Sequence, residues 1–384
     1  MYSNLDTISF WNLQDEIKLL ENRGYSTREM RSKLQQSLAF PFFLLSMIFL
    51  GGVISWLIAI PLYTYHYPID GDIITGSWNI WNTKIRFLGV GAMLIGGIWS
   101  IVNLQKETGL NYMMMETAVN TRPFLFSKDL HDKGEFGRIQ FLRGAHYQDM
   151  EGWPPYWAGL PPMWYATHAI SPLLAIAQSR ATKVHCYGSG KIRDELVTQY
   201  GNPYPIETAI FELDSPNLSA EVTRSLFYCA RPYMESFTVY GENACYEWQM
   251  ENESPVLFRM SPVVPGEQRT EILDRPEPPD RTELLPKPIR KYTKRFVYDS
   301  VDNHLSFEQG GGHHGSHPHL VNEFVRSIIE ERQPEIDAVR SANWTAAGIC
   351  AHESSMLKGA EILIPDLSLN QSLLKCFSPN PTGI

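Results

Sequence analysis

The chain has 384 residues, enough for two or three domains, and its apolar fraction of 43% with a charged fraction of 20% excludes wholesale disorder. The formal net charge is -9, with no basic stripe interleaved with aromatics, so nucleic acid is not expected as a partner: affinity there rests on Lys and Arg at phosphates. The cysteines Cys186, Cys229, Cys245, Cys350 and Cys376 are odd in number and widely spaced, without a Cys-x-x-Cys, which favours free thiols in a reducing compartment over a disulfide frame.

In chain order, residues 1–37 predict two short amphipathic cytoplasmic helices. Phe10, Leu13, Ile17 and Leu20 repeat at three-four spacing, Gly24 can close the first helix in a left-handed cap, and Ser26 to Glu29 form a capping-box pattern for the second. Residues 38–105 predict a membrane helical hairpin. Two uncharged apolar runs, Leu38 to Tyr63 and Phe87 to Leu104, approach the ~20 residues a helix needs to cross a bilayer, and Trp56, Tyr63, Trp78 and Trp81 flank them as interfacial anchors would. A pair of buried core helices is the competing reading. Lys18, Arg23, Arg28, Arg31 and Lys33 precede the first run, whereas the loop between the runs holds only Lys84 and Arg86, so both ends of the hairpin belong on the cytoplasmic side. The expectation is a chain anchored through residues 38–104 with its C-terminal domain cytoplasmic; without insertion the whole chain is cytoplasmic.

Residues 106–384 change character. Period-two alternation at Ile139/Phe141, Val184/Cys186, Ala209/Phe211/Leu213, Phe237/Val239 and Tyr246/Trp248/Met250 predicts strands with one buried face. Turn residues punctuate them, and the proline-rich stretch 261–290 reads as an extended covering loop. Helices are predicted at 123–133, 190–200, 318–331 and 340–357. The fold class is therefore α+β: a largely antiparallel open sheet with helices on one face, preceded by the membrane hairpin.

Three resemblances bear on function. Residues 10–50 (FWNLQDEIKLLENRGYSTREM…LAFPFFLLSMIFL) faintly resemble the C-terminal end of a lipopolysaccharide-export permease, and GGVISWLIAIPLY…IRFLGVGAMLIGGIWSIV resembles part of an oligopeptide transporter. Each covers a few tens of residues, too few spans for a transport path, which suggests a composite chain. The passages YMMMETAVNTRPFLFSKDLHDKGEFGRIQFLRGAHYQDMEGWP, GLPPMWYATHAISPLLA, SPNLSAEVTRSLF, LSFEQGGGHHGSHPHLVNEFV and SANWTAAGICAHESSM are similar, in order over residues 106–370, to the C-terminal substrate domain of Gfo/Idh/MocA-type oxidoreductases. That resemblance implies a sugar or polyol substrate, NAD or NADP as cofactor, hydride transfer, and oligomers built through the sheet. It also implies an N-terminal Rossmann half, which the sequence does not supply in complete form. The one glycine turn in that part, Gly89-Val90-Gly91-Ala92-Met93-Leu94, ends in Leu, follows no apolar strand and has no acidic ribose ligand ~20 residues on, so tight NAD(P) binding by this chain alone is not expected.

The resemblance places His168 in the segment matching the family's Asp-x-Gly-x-His-x-x-Asp pattern, as the group that takes a hydroxyl proton or polarises a carbonyl. Trp164 and Ser171 replace the two acids that flank the histidine there, so the sequence offers no carboxylate to orient the ring. A histidine hydrogen-bonded in the core is the competing account. Tyr147, Trp157 and Tyr165 are candidates to pack on a sugar ring, with core packing as the alternative. His313, His314 and His317 suit a substrate-facing loop before the helix that Pro318 opens. Imidazoles bind zinc, but no Asp, Glu or Cys stands at ligand spacing beside them, so no metal is expected. Arg122 and Arg143 could hold an anion or form plain ion pairs, and His352-Glu353 reads as a solvated pair.

Overall fold

In a computed structural model of the protein the described residues are 94–368, apart from 232, 295–297, 300–303 and 306–311. The amphipathic segment 1–37, the first apolar run and the beginning of the second lie outside them. Residues 94–108 are helical (α1). Then come a 3-10 turn at Thr117–Asn120, α2 (Arg122–Asp132), β1 (Ile139–Gln148), α3 (Thr167–Ala177), β2 (Ala181–Ser189) and α4 (Asp194–Tyr200). Next are β3 (Ile206–Leu213), β4 (Ser219–Ser225), β5 (Tyr233–Gly241), β6 (Ala244–Trp248), β7 (Val256–Met260) and β8 (Glu271–Asp274). A two-stranded ribbon β9 (Tyr298–Asp299) and β10 (His304–Leu305), α5 (Gly312–Ile329), α6 (Ala338–Met356) and β11 (Ile362–Leu363) complete the order.

Nine strands form one open sheet in the order β11-β2-β3-β4-β1-β5-β6-β7-β8. Every pairing is antiparallel except that of β1 with β4. Alternation decides which face is buried: Leu142, Gly144 and His146 of β1, Val184 and Cys186 of β2, Phe237 and Val239 of β5, and Tyr246 and Trp248 of β6 all point into one core. Three helices cover that face. α3 lies on β1, β4 and β5, while α6 lies on β2 and β3. α2 closes the β5–β6 end, with the ring of Phe124 6.2 Å from that of Phe237 and the Tyr246 hydroxyl donating to the Pro123 carbonyl at 2.9 Å. Two of the three start on a satisfied cap: Thr121 Oγ1 accepts from Phe124 N at the start of α2, and Asp337 Oδ1 accepts from Arg340 N at the start of α6.

The approach of α3 to the sheet depends on one residue. A Cβ on Gly144 would stand 2.4 Å from the Ala169 carbonyl oxygen, so glycine lets the helix settle directly on β1. That contact sets the distance between the start of α3 and the end of β1, where the site lies.

Three expectations are corrected. On β1 the inner positions from Leu142 onward are the even ones: across a register shift between Ile139 and Phe141, Ile139 still packs on the core while Phe141 does not. The proline-rich stretch is not only a covering loop, since β8 pairs with β7 within it and 3-10 turns occupy Thr282–Leu284 and Lys287–Thr293. The described part of the second apolar run, α1, buries Ile95 and Val102 in the domain core. The Gln105 side chain is tied down there, donating to Gln333 Oε1 at 2.5 Å and accepting from Ala338 N at 3.3 Å. Its outer side exposes Leu94, Ile101 and Leu104. Among the described residues no helix is long and apolar enough to cross a membrane.

Candidate functional site

At the end of β1 nearest α3, polar side chains gather where the alternation calls for apolar ones. His146 of β1 and Glu235 of β5 are cross-strand partners and share the inner face. His168 stands in the first turn of α3 above them, its ring 5.1 Å from that of His146. Glu116, which caps the Thr117–Asn120 turn by accepting from Ala118 N, reaches in from the side. His313 closes the cluster from the opposite end, 5.6 Å ring to ring from His168. It is held in an unusual way: His313, His314 and Gly315 all take positive φ before the regular part of α5. Gly315 is required in this turn, since a Cβ there would meet the Thr293 carbonyl oxygen at 2.7 Å.

The hydrogen bonds define two pairs. His168 Nδ1 donates to Glu116 Oε1 at 2.5 Å, so the ring is oriented by a carboxylate after all. That carboxylate comes from a part of the chain 52 residues earlier rather than from the two flanking positions. On the other side Tyr233 Oη donates to Glu235 Oε1 at 2.5 Å and His313 Nδ1 donates to the same oxygen at 3.1 Å. Arg224 is fully buried beneath the cluster, yet it bonds neither carboxylate. Its guanidinium donates to the carbonyls of Tyr165 (2.7 Å), His146 (3.0 Å) and Ser225 (2.6 Å) and to Gln148 Oε1 (3.1 Å), stapling β1 and β4 to the turn before α3. Both ring nitrogens of His146 and the Glu235 Oε2 atom are buried without a hydrogen-bond partner among the described residues.

These surroundings set the charges. Burial opposes ionisation of Glu116, but the charge and hydrogen bond of His168 outweigh it and lower its pKa. Burial likewise opposes protonation of His168, and Glu116 outweighs it and raises the pKa. His146 has no such partner: burial, together with the charges of Arg224, His168 and His313, drives its pKa well below the ordinary value, so this ring is neutral. For Glu235 burial works upward, but the His313 hydrogen bond and the nearby His168 and His313 charges, with the Tyr233 hydroxyl, bring it down to about 2. The cluster is sealed at its base and open at its rim, since the side chains of Glu116 and Glu235 are 1% and 3% exposed while those of His168 and His313 are 13% and 29% exposed.

Among the residues expected at a site, His168, Tyr165 and His313 meet here. Trp157 packs edge-on against Tyr165 at 5.0 Å and extends the aromatic wall outward to Trp153 and Tyr156, which are exposed. His317 sets its ring against His313 at 5.8 Å, on the outer side. Two candidates lie elsewhere. Tyr147 follows His146 on the strand and therefore points to the other face of the sheet, beside Arg143, Glu221 and Cys229. His314 turns to the edge of Trp248 at 5.2 Å. Arg122 and Arg143 are ion-paired, to Asp280 at 2.6 Å and Glu221 at 3.2 Å. His352 and Glu353 are not solvated, being 1% and 5% exposed, and His352 Nδ1 donates to buried Glu207 at 2.8 Å. Glu116, His146, Arg224, Tyr233 and Glu235 were not expected from the sequence. The available signal was parity, because His146 and Glu235 both occupy inward positions of alternating strands. A groove of about 870 Å³ lined by Arg180, Asp214, Asp337, Arg340 and Asp366 shares no residue with the cluster.

With this geometry in view, comparison with known proteins divides the chain. The model of the OPT oligopeptide transporter protein family matches residues 29–123. An oligopeptide transporter of Haemophilus influenzae is 34% identical over 59 residues, 15% of this chain and 9% of that protein. A glycosyl hydrolase family 109 protein of Stenotrophomonas maltophilia is 19% identical over 354 residues, covering 78% of this chain and 73% of that one. Among solved structures, levoglucosan dehydrogenase in complex with NADH aligns with a TM-score of 0.49 at 14% identity over 68% of each chain. An oxidoreductase domain protein from Kribbella flavida aligns at 0.47 and 14%, over 67% of this chain and 66% of that one.

The resemblance brings a dinucleotide with it, but the described residues do not fit one. A pyrophosphate needs a strand, a glycine turn and a helix within a parallel βαβ unit. The nearest arrangement, Gly188-Ser189-Gly190 at the end of β2, precedes α4, a helix of only 7 residues, which leads into the antiparallel strand β3. Both glycines are already covered, since a Cβ on Gly188 would meet the Tyr204 ring at 2.1 Å and one on Gly190 would meet Pro205 at 2.8 Å.

Proposed function

We propose that residues 106–368 form the substrate-binding domain of a sugar or polyol oxidoreductase of the NAD(P)-dependent class, with no cofactor half among the described residues. One observation carries this reading: the Glu116–His168 pair at the base of an aromatic rim formed by Tyr165 and Trp157. A carboxylate on Nδ1 fixes the ring and leaves Nε2 for a ligand oxygen. Protonated, that nitrogen polarises a carbonyl and returns a proton to it; deprotonated, it takes the proton of a hydroxyl. The flat rings suit the apolar face of a sugar, and similarity to a glycosyl hydrolase agrees with a carbohydrate ligand.

The face of the sheet away from the helices exposes Tyr187, Ile210, Met260 and Leu273, a surface suited to a second copy of the chain. Residues 38–93 keep the membrane reading, supported by the transporter-family match over 29–123.

The test is calorimetric titration of a panel of sugars and polyols into the purified chain and its His168→Asn variant. The expected result is saturable binding that weakens by at least about tenfold in the variant, as for loss of a hydrogen bond from a charged group, with the melting temperature little changed. A large loss of stability with unchanged affinity would assign His168 to the core.

A further inference from the structure

We propose that His146, His168 and Glu235 form a mononuclear site for a divalent transition metal ion. Each offers one ligand atom, and these atoms all lie within 4.8 Å of one another. The three come from rigid elements: His146 and Glu235 sit opposite each other on adjacent central strands, and His168 stands in the first turn of the helix that Gly144 admits to β1. Two imidazoles and one carboxylate are the donor set of open zinc and related centres, and two nitrogen donors argue against Mg²⁺ or Ca²⁺.

The second observation is what the cluster lacks without an ion. Both nitrogens of the His146 ring and Glu235 Oε2 are buried and unpartnered, and a buried polar atom with no partner costs about 1–3 kcal/mol. One cation at the centre gives a partner to one ring nitrogen of His146 and to Glu235 Oε2 at once. Charge points the same way: the carboxylates Glu116 and Glu235 are both buried around the site, whereas Arg224, the one buried guanidinium among the described residues, spends its donors on carbonyls and Gln148. The outer shell is also in place. Glu116 accepts from His168 Nδ1, which directs Nε2 to the metal, and Tyr233 and His313 fix Glu235 through its other oxygen. His168 and His313 give the ion a path from the rim.

Metal uptake changes the role of His168. Its Nε2 releases its proton and becomes a ligand, and the ion itself, held by three residues with open positions, receives a ligand oxygen and eases loss of its proton. Resting on the sugar-binding reading, the class of ligand for those positions is a pair of adjacent sugar or polyol oxygens, two hydroxyls or a hydroxyl and a carbonyl, chelating the ion.

The experiment uses the full chain without sugar, so its outcome is independent of whether sugars bind. Purified protein is stripped with chelator, incubated with Zn²⁺ or Co²⁺, and freed of excess by gel filtration. The expected result is about one ion per chain, the visible absorption of four- or five-coordinate Co²⁺, and an X-ray absorption spectrum of the Zn²⁺ form showing imidazole and oxygen donors without sulphur. Glu235→Gln and His146→Gln should each abolish stoichiometric retention, and Glu116→Gln should weaken binding about 10–100-fold. His185→Ala, on the exposed edge of β2, should leave binding unchanged. Wild-type protein retaining no ion after gel filtration, or a sulphur shell around bound zinc, would overturn the proposal even if the variants fail to fold.

Discussion

Glu353 on α6 shows how far a single side chain can influence this domain. It is 5% exposed, its Oε1 has no hydrogen-bond partner among the described residues, and burial alone pushes the carboxyl up to about 7 from an ordinary 4.5. Below about 4.5 both native and unfolded chains hold the proton. Between there and 7 the unfolded chain releases it while the native one keeps it, so stability falls as pH rises, by on the order of 3 kcal/mol once pH passes 7. Glu353→Gln removes this dependence. Urea denaturation at pH 5 and pH 8 should show the wild type losing about 2–3 kcal/mol more than the variant between the two. Equal losses would place the carboxyl in contact with water. At this scale the sequence is partly legible. His168 can be found because it lies in a recognisable segment, but its orienting carboxylate cannot, since Glu116 reaches it only through the fold. His146 and Glu235 become visible only when the parity of β1 and β5 is known. His352 and Glu353 look solvated because nothing local reveals that α6 is buried on both sides of that turn.

At the scale of elements, strands are read well where one face is buried and poorly where a bulge shifts the count. β2, β3 and β5 follow the expected alternation and β6 does so as far as Trp248, Met250 lying past the strand and exposed, whereas on β1 the irregularity beside Phe141 reverses it and with it the facing of His146 and Tyr147. β8 escapes notice because it is exposed along its whole length and sits among prolines. α3 is decisive for the site and rests on Gly144. Gly144→Ala should cost about 1–3 kcal/mol in urea denaturation, because the added Cβ meets backbone rather than a movable side chain. It should also weaken ligand binding by moving His168 away from β1. A neutral substitution would mean that α3 can shift freely and that its first turn does not define the site.

At the scale of the whole molecule the chain combines unlike parts. Residues 29–123 match a transporter family and 78% of the chain is similar to a glycosyl hydrolase family 109 protein, while α1 joins the core of the C-terminal part through Ile95, Val102 and Gln105. If residues 38–93 insert in a bilayer, the protein should stay with membranes through a carbonate wash; complete release would end that reading. The proposed substrate half of an oxidoreductase has no dinucleotide cradle among the described residues. The backbone N–H groups that bind a pyrophosphate belong to a βαβ unit that the described residues lack, and contact with a nicotinamide edge alone is too small to bind it. The most direct measurement is fluorescence titration of NADH against the purified full chain, alone and with a sugar or polyol that binds it. The account predicts saturation by the sugar and none by NADH in either case; saturation by NADH at micromolar concentration would contradict it.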